Sequence, residues 1–240
     1  MPDIGSFSAA AAGGVLPALA WVWFWRREDS AHPEPRRLIA LAFLAGMVAV
    51  GVVIPIERAV VPYIASQTLL FSVWSTIEEI MKYVMARLTV LYRWENDEPI
   101  DPIIYMVTTA LGFAAAENTL FLLSPLSGDT LAQTILTGDL RFVGATLLHV
   151  LSSAVIGVAL ALSFYKSKRT RRWYTVAGVI LAASLHSLFN FLILNTPETH
   201  IFRTFGFVWL GLIGLLAVLE YVKRIHPTVK KILVKKVSWR

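Results

Sequence analysis

The 240-residue sequence contains no cysteine. Disulfides, thiolate metal sites and a cysteine nucleophile are therefore excluded, and the redox compartment is left open. Charge is scarce as well: 16% of residues are Asp, Glu, Lys or Arg, where a soluble chain carries about 25%. So little polar surface cannot keep a chain of this size in water. No glycine-rich phosphate loop and no HExxH pair occurs, which removes two common catalytic signatures. Met1 to Ser6 has no basic residue, so a cleavable signal peptide is not expected.

What fills the sequence is apolar: 56% hydrophobic residues and a mean hydropathy of +0.63. A bilayer core needs about 20 such residues per helix. Seven stretches qualify, at approximately 7–25, 38–56, 62–91, 102–123, 142–165, 173–194 and 203–222. None shows the polar–apolar alternation of a membrane β-barrel. The expectation is an all-α, polytopic membrane bundle of about seven helices forming one integral membrane domain over 1–240. Its core is expected at about 62–194, with peripheral helices at 7–56 and 203–222 and a basic tail at 223–240.

The cations orient that bundle. Arg26, Arg27, Arg36 and Arg37 lie between spans one and two. Lys166, Lys168, Arg169, Arg171 and Arg172 lie between spans five and six. The tail holds Lys223, Arg224, Lys230, Lys231, Lys235, Lys236 and Arg240. All fall on one face, whereas 124–140 and 195–202 have neither Lys nor Arg. The C-terminus is expected in the cytoplasm and the N-terminus outside the cell membrane. A net charge of +6 distributed this way marks topology and argues against a nucleic-acid partner.

Ionisable groups within spans are costly, about 2.5–3.5 kcal/mol each at mid-bilayer, and mark functional sites by default. Span three carries Glu78, Glu79 and Lys82; span four Glu117 and Asn118; span five His149; span six His186. Spans one and two have none in their interiors, and span seven has only Arg203 and Glu220 near its ends. At 1.5 Å per residue the four polar positions lie roughly 18–24 Å from the cytoplasmic ends, one layer past the midplane. One shared site in the outer half of the bilayer is expected. Residues four apart share a helix face, so Glu78 pairs with Lys82, Phe113 with Glu117, His149 with Ser153, and His186 with Asn190. Small residues around each group let the helices approach.

Singly, each residue has a plainer reading. Lys82 can neutralise one carboxylate, Ser153 and Asn190 can bond neighbouring helices, and a lone histidine or Glu117 can be packed in the core. Four such coincidences at one depth favour a site. Two hydrolytic mechanisms fit. In one, a glutamate (Glu79 or Glu78) activates water while histidine and Asn190 stabilise the oxyanion. In the other, His149, His186 and Glu79 hold Zn²⁺, a His₂Glu set with an open position for water.

The segment Glu78-Glu79-Ile80-Met81-Lys82 resembles the EExxK motif of the PrsW family of intramembrane proteases. Phe113 to Asn118 resembles its FxxxEN motif, and His149 and the run His186 to Asn190 resemble its two later histidine motifs. Residues 98–105 resemble its linker. The likeness covers about 78–191, in the family's order. It implies hydrolysis of a membrane-associated protein, in some members a single-span anti-sigma factor. It also implies that Glu78, Glu79, Glu117, His149, His186 and Asn190 carry the chemistry, with Lys82, Phe113, Asn118 and Ser153 in support. The related CAAX prenyl endopeptidases read EExxxR and FxxxH. Here Lys82 comes one position early and Glu117 replaces the histidine, so a prenylated substrate is not expected.

Two other classes compete. A non-catalytic scaffold has no need of paired glutamates. A proton-coupled transporter uses Glu and His relays but often shows inverted repeats, which are not visible. A retinal-type pigment needs a buried lysine in span seven, and 204–222 contains none.

Overall fold

The computed structural model describes residues 4–28, 32–123, 131–195 and 201–225, of which 6, 131–143, 193–195 and 201–205 are described by backbone alone. The connections 124–130 and 196–200 and the tail beyond 225, which carry part of the charge-bias argument, lie outside the described residues. Among the described residues seven α-helices follow one another: α1 (Ile4–Glu28), α2 (Arg36–Val60), α3 (Gln67–Thr89), α4 (Asp101–Leu123), α5 (Leu131–Leu162), α6 (Lys168–Asn195) and α7 (Ile201–Val222). No strand occurs among the described residues. The expected membrane helical bundle is what forms.

Among the described residues five segments are long and apolar enough to cross a bilayer: Phe7–Glu28, Arg36–Tyr63, Asp101–Leu123, Gly144–Leu162 and Lys168–Leu192. The apolar part of α7, Gly206–Val222, is shorter. α3 falls outside this set because its charges dilute its hydropathy, and its burial pattern shows where they go. Ser75, Glu78, Glu79, Lys82 and Ala86 are its buried residues, a single stripe at helical spacing. Leu69, Ile80 and Leu88 point outward. α3 is thus polar inside and apolar outside, the arrangement expected of a helix whose charges face a bundle interior.

The expected span 62–91 is shorter at its start than the sequence suggested. Val61–Tyr63 forms a 3₁₀ turn with Pro62 in its first turn, and Ile64 is extended. The Ser66 hydroxyl then caps α3 by accepting from the Leu69 N–H at 3.4 Å. The long helix is α5 instead, with 32 residues. Hydropathy starts it at 142 because Gln133, Asp139 and Arg141 interrupt the apolar run.

α4 is the axis of the bundle. Residues 101–115 are all buried, and α1, α2, α3 and α5 pack on it. Small residues set the approach. A Cβ on Gly46 of α2 would overlap the Thr109 carbonyl oxygen of α4, and one on Gly112 would overlap the Phe43 carbonyl oxygen of α2. The two backbones therefore touch through reciprocal glycines, the close packing that small residues allow in membranes. Gly157 of α5 meets the Ile103 backbone in the same manner, with Cα 2.7 Å from its would-be Cβ. These contacts fix α4 between α2 and α5, and with it Phe113 and Glu117.

Candidate active site

The polar groups of α3, α4, α5 and α6 converge. Glu79 is fully buried, and its carboxylate is saturated. Its Oε1 accepts from Lys82 Nζ (2.6 Å), Ser152 Oγ (2.9 Å) and His186 Nδ1 (2.9 Å), and its Oε2 from Ser153 Oγ (2.8 Å). A buried carboxylate is stable only when charge and lone pairs are both answered, and Glu79 meets that requirement from three helices.

Lys82, also fully buried, joins the two halves of the cluster. Besides Glu79, its ammonium donates to His149 Nδ1 at 2.9 Å, lies 3.6 Å from Glu78 Oε2, and sits 4.5 Å above the Phe113 ring. An ammonium has no acceptor, so His149 Nδ1 is the unprotonated nitrogen and the ring proton is on Nε2. That Nε2–H donates to Glu117 Oε2 at 2.7 Å. His186 is held the other way round: its Nδ1–H donates to Glu79, leaving Nε2 as a free lone pair.

These two unprotonated nitrogens face one atom. Glu78 Oε2 is 3.8 Å from His149 Nδ1 and 3.9 Å from His186 Nε2. It is buried and accepts no hydrogen bond. Glu78, His149 and His186 each bring one ligand-type atom within 4.8 Å of the others. The sequence expectation gave Glu79 as the third member of that group; in the structure Glu78 stands there, one position away, and Glu79 backs His186 from behind.

Glu117 is the open side of the cluster. Its side chain is 45% exposed, against 3% for both histidines, so the site reaches the outside of the bundle between Glu117 and its neighbours. Phe113, one turn back, packs on the His149 ring with centroids 5.3 Å apart. Two further expected residues, Asn190 and Asn118, make hydrogen bonds between helices here. Asn190 Nδ2 donates to Ser75 Oγ (3.1 Å), tying α6 to α3 one turn from Glu79. Asn118 Nδ2 donates to Thr146 Oγ1 (3.1 Å), tying α4 to α5.

Three residues escaped the sequence. Ser152 was visible only as a small flanking residue, and Ser75 gave no signal beyond its place four residues before Glu79. Glu57 was placed beyond the end of span two, whose interior was read as uncharged. α2 runs on through Pro55 to Val60, so Glu57 is helical and within electrostatic range of Glu117, Glu78 and Lys82. Its Oε1 is buried without a hydrogen-bond partner.

Residues 34–219 match the family described as PrsW family intramembrane metalloprotease. Protease PrsW of Geobacillus kaustophilus is 29% identical over 191 residues, covering 76% of this chain and 79% of that protein. Protease PrsW of Bacillus subtilis is 23% identical over 212 residues, covering 85% and 93%. Protease PrsW of Clostridioides difficile is 25% identical over 187 residues, covering 75% and 77%. No solved structure matches. A family match over most of the chain, on a helical membrane bundle that gathers glutamates and histidines at its centre, assigns the protein to the PrsW family of intramembrane proteases.

Proposed function

We propose that this protease cuts a single-span, membrane-associated protein at a metal centre held by Glu78, His149 and His186. The observation that carries the reading is Glu78 Oε2, a buried oxygen with no hydrogen bond, facing two imidazole nitrogens at 3.8 and 3.9 Å. Ligand atoms on a tetrahedral zinc stand roughly 3.3 Å apart; the two oxygen–nitrogen distances are about half an ångström longer than that, and all three atoms lie within 4.8 Å of one another. The outer nitrogens are each fixed by a carboxylate, Glu79 for His186 and Glu117 for His149. That carboxylate–histidine pairing is the usual support of metal-binding imidazoles. His149 Nδ1 now accepts from Lys82, which retains Glu79 when it releases His149.

A zinc ion held there would lower the pKa of a bound water and polarise the scissile carbonyl. The protein's own residues do the rest. Glu117, open to the outside and bonded through one oxygen only, takes the proton of the attacking water and returns it to the leaving amine. Lys82 compensates the carboxylate charge while Glu79, Ser152 and Ser153 keep the ammonium and His186 in place. Asn190 and Asn118 hold the helices in register.

The likeness noted in the sequence supports a substrate of the anti-sigma-factor kind. The one-sided distribution of cations supports an extracytoplasmic N-terminus and a cytoplasmic C-terminus, so that the scissile bond lies in the outer half of the bilayer. Proteoliposomes holding the protease and a single-span protein tagged at both ends test the proposal. Wild type is expected to release two tagged fragments, while Glu78→Gln and His186→Ala leave the substrate whole. Cleavage by both variants at the wild-type rate would sink the assignment.

A further inference from the structure

A second concavity lies at the opposite end of the same helices. A cavity of about 780 Å³ opens where α3 and α5 end and α4 and α6 begin. Five cations line it: Arg87 and Arg93 from the α3 end, and Lys168, Arg171 and Arg172 from the first turns of α6. Among the described residues, no acidic side chain lines it. Among the described residues, none of these five has a carboxylate within ion-pair distance.

Acids are close in sequence but committed elsewhere. Glu95 is bound to Arg37 at 2.7 Å and Glu98 to His32 at 3.0 Å. Asp101 Oδ2 accepts the backbone N–H groups of Asp97 and Glu98 at 2.8 and 2.6 Å. Three of the four acids of the 93–101 connection are thus engaged with α2, with His32 or with the connection's own backbone. The cationic cluster is left facing an open cavity.

Like charges gathered around one concavity repel, and an anion placed among them relieves that repulsion. The rest of the lining narrows the anion's identity. Leu91, Leu160, Phe164 and Val176 give the cavity an apolar side, and Leu88 of α3 and Val176 and Ile180 of α6, on the two helices that bound it, are exposed apolar residues. Tyr83 and Tyr92 add the amphipathic rings typical of the membrane–water boundary. A cationic cup with an apolar side matches a phosphodiester headgroup with attached acyl chains. Basic pockets between transmembrane helices on the cytoplasmic side bind anionic headgroups by this chemistry.

We infer that this cavity is a binding site for the headgroup of an anionic phospholipid, bridging the C-terminal end of α3 and the N-terminal end of α6. Free phosphate satisfies the charge but leaves the apolar side unused, so the lipid is the occupant.

The test uses full-length protein purified in neutral detergent and titrated with phosphatidylglycerol, phosphatidylcholine or inorganic phosphate. Native mass spectrometry counts retained lipid, and thermal stability is followed in parallel. Phosphatidylglycerol is expected to stay bound as one tight equivalent and to raise the melting temperature; phosphatidylcholine is not. Each cation removed should weaken binding about five-fold, so Arg171→Gln/Arg172→Gln loses roughly 10- to 30-fold. Arg87→Gln, on the other wall, serves as a second variant. Lys166→Gln/Arg169→Gln removes the same charge from the same connection without touching the lining, and should retain affinity. Equal loss in that control would reduce the effect to general surface charge and overturn the site. Competition by millimolar inorganic phosphate, equal retention of both lipids, or cavity-dependent binding of an acidic peptide in place of lipid would each overturn it too.

Discussion

Replacing Lys82 with methionine asks whether the buried ammonium holds the site together. Its Nζ lies 2.6 Å from Glu79, 2.9 Å from His149 and 3.6 Å from Glu78. Removing one partner of a buried ion pair costs about 3–5 kcal/mol, because the other charge is left uncompensated. Glu79 keeps donors from Ser152, Ser153 and His186, and hydrogen bonds to a charged group contribute about 1.5–3 kcal/mol each. The loss should therefore fall at the low end, about 3 kcal/mol. Adding Glu79→Gln removes the stranded charge, so the double variant should be more stable than Lys82→Met alone. Residues in one buried network couple by about 0.5–3 kcal/mol, and a coupling near 2 kcal/mol is expected here. Reversible unfolding in mixed micelles of the wild type, both single variants and the double variant measures it. A Lys82→Met loss under about 1 kcal/mol, or strictly additive effects, would refute the reasoning.

Other perturbations separate chemistry from packing. Glu117→Gln keeps an acceptor for His149 but removes the proposed base, and should slow cleavage by about 10²–10⁴-fold with normal folding; single-turnover cleavage in proteoliposomes reads it. Ser153→Ala deletes one bond to the Glu79 carboxylate and should cost about 1.5–3 kcal/mol in the same unfolding assay. Gly112→Ala drives a methyl into the Phe43 carbonyl and should separate α2 from α4, seen as loss of folded protein on size exclusion. Gly51→Ala meets no atom within 4 Å and should be neutral or stabilise by up to about 1 kcal/mol; equal damage at both glycines would contradict the packing account.

How much of this was legible in the sequence varies by residue. Glu79, Lys82, His149 and His186 were visible because ionisable groups in apolar runs are too costly to be incidental. Their shared depth anticipated that they meet. Helical spacing also anticipated that Phe113 and Ser153 face the site. Which glutamate faces the histidines was not legible. Glu78 and Glu79 differ by about 100° around α3, and the choice depends on how α3 rotates against α5 and α6. Ser152 and Ser153 on α5 and His186 on α6 settle that rotation by claiming Glu79. The same dependence hid the partner of Asn190, which lies one turn from His186 yet reaches across to Ser75. Glu57 was hidden by a boundary: hydropathy ended the span at residue 56, whereas backbone hydrogen bonding continues to Val60. The start of α5 was misplaced for a related reason, since polar residues on a helix end lower hydropathy without breaking the helix.

Metal content decides the central claim most directly. Wild-type protein, purified in detergent without chelator and shown to cleave, should hold close to one equivalent of divalent metal by inductively coupled plasma mass spectrometry. Glu78→Gln, folded to the same extent, should lose most of it. A cleaving wild type without metal, or a Glu78→Gln variant with full occupancy, would contradict the Glu78–His149–His186 centre.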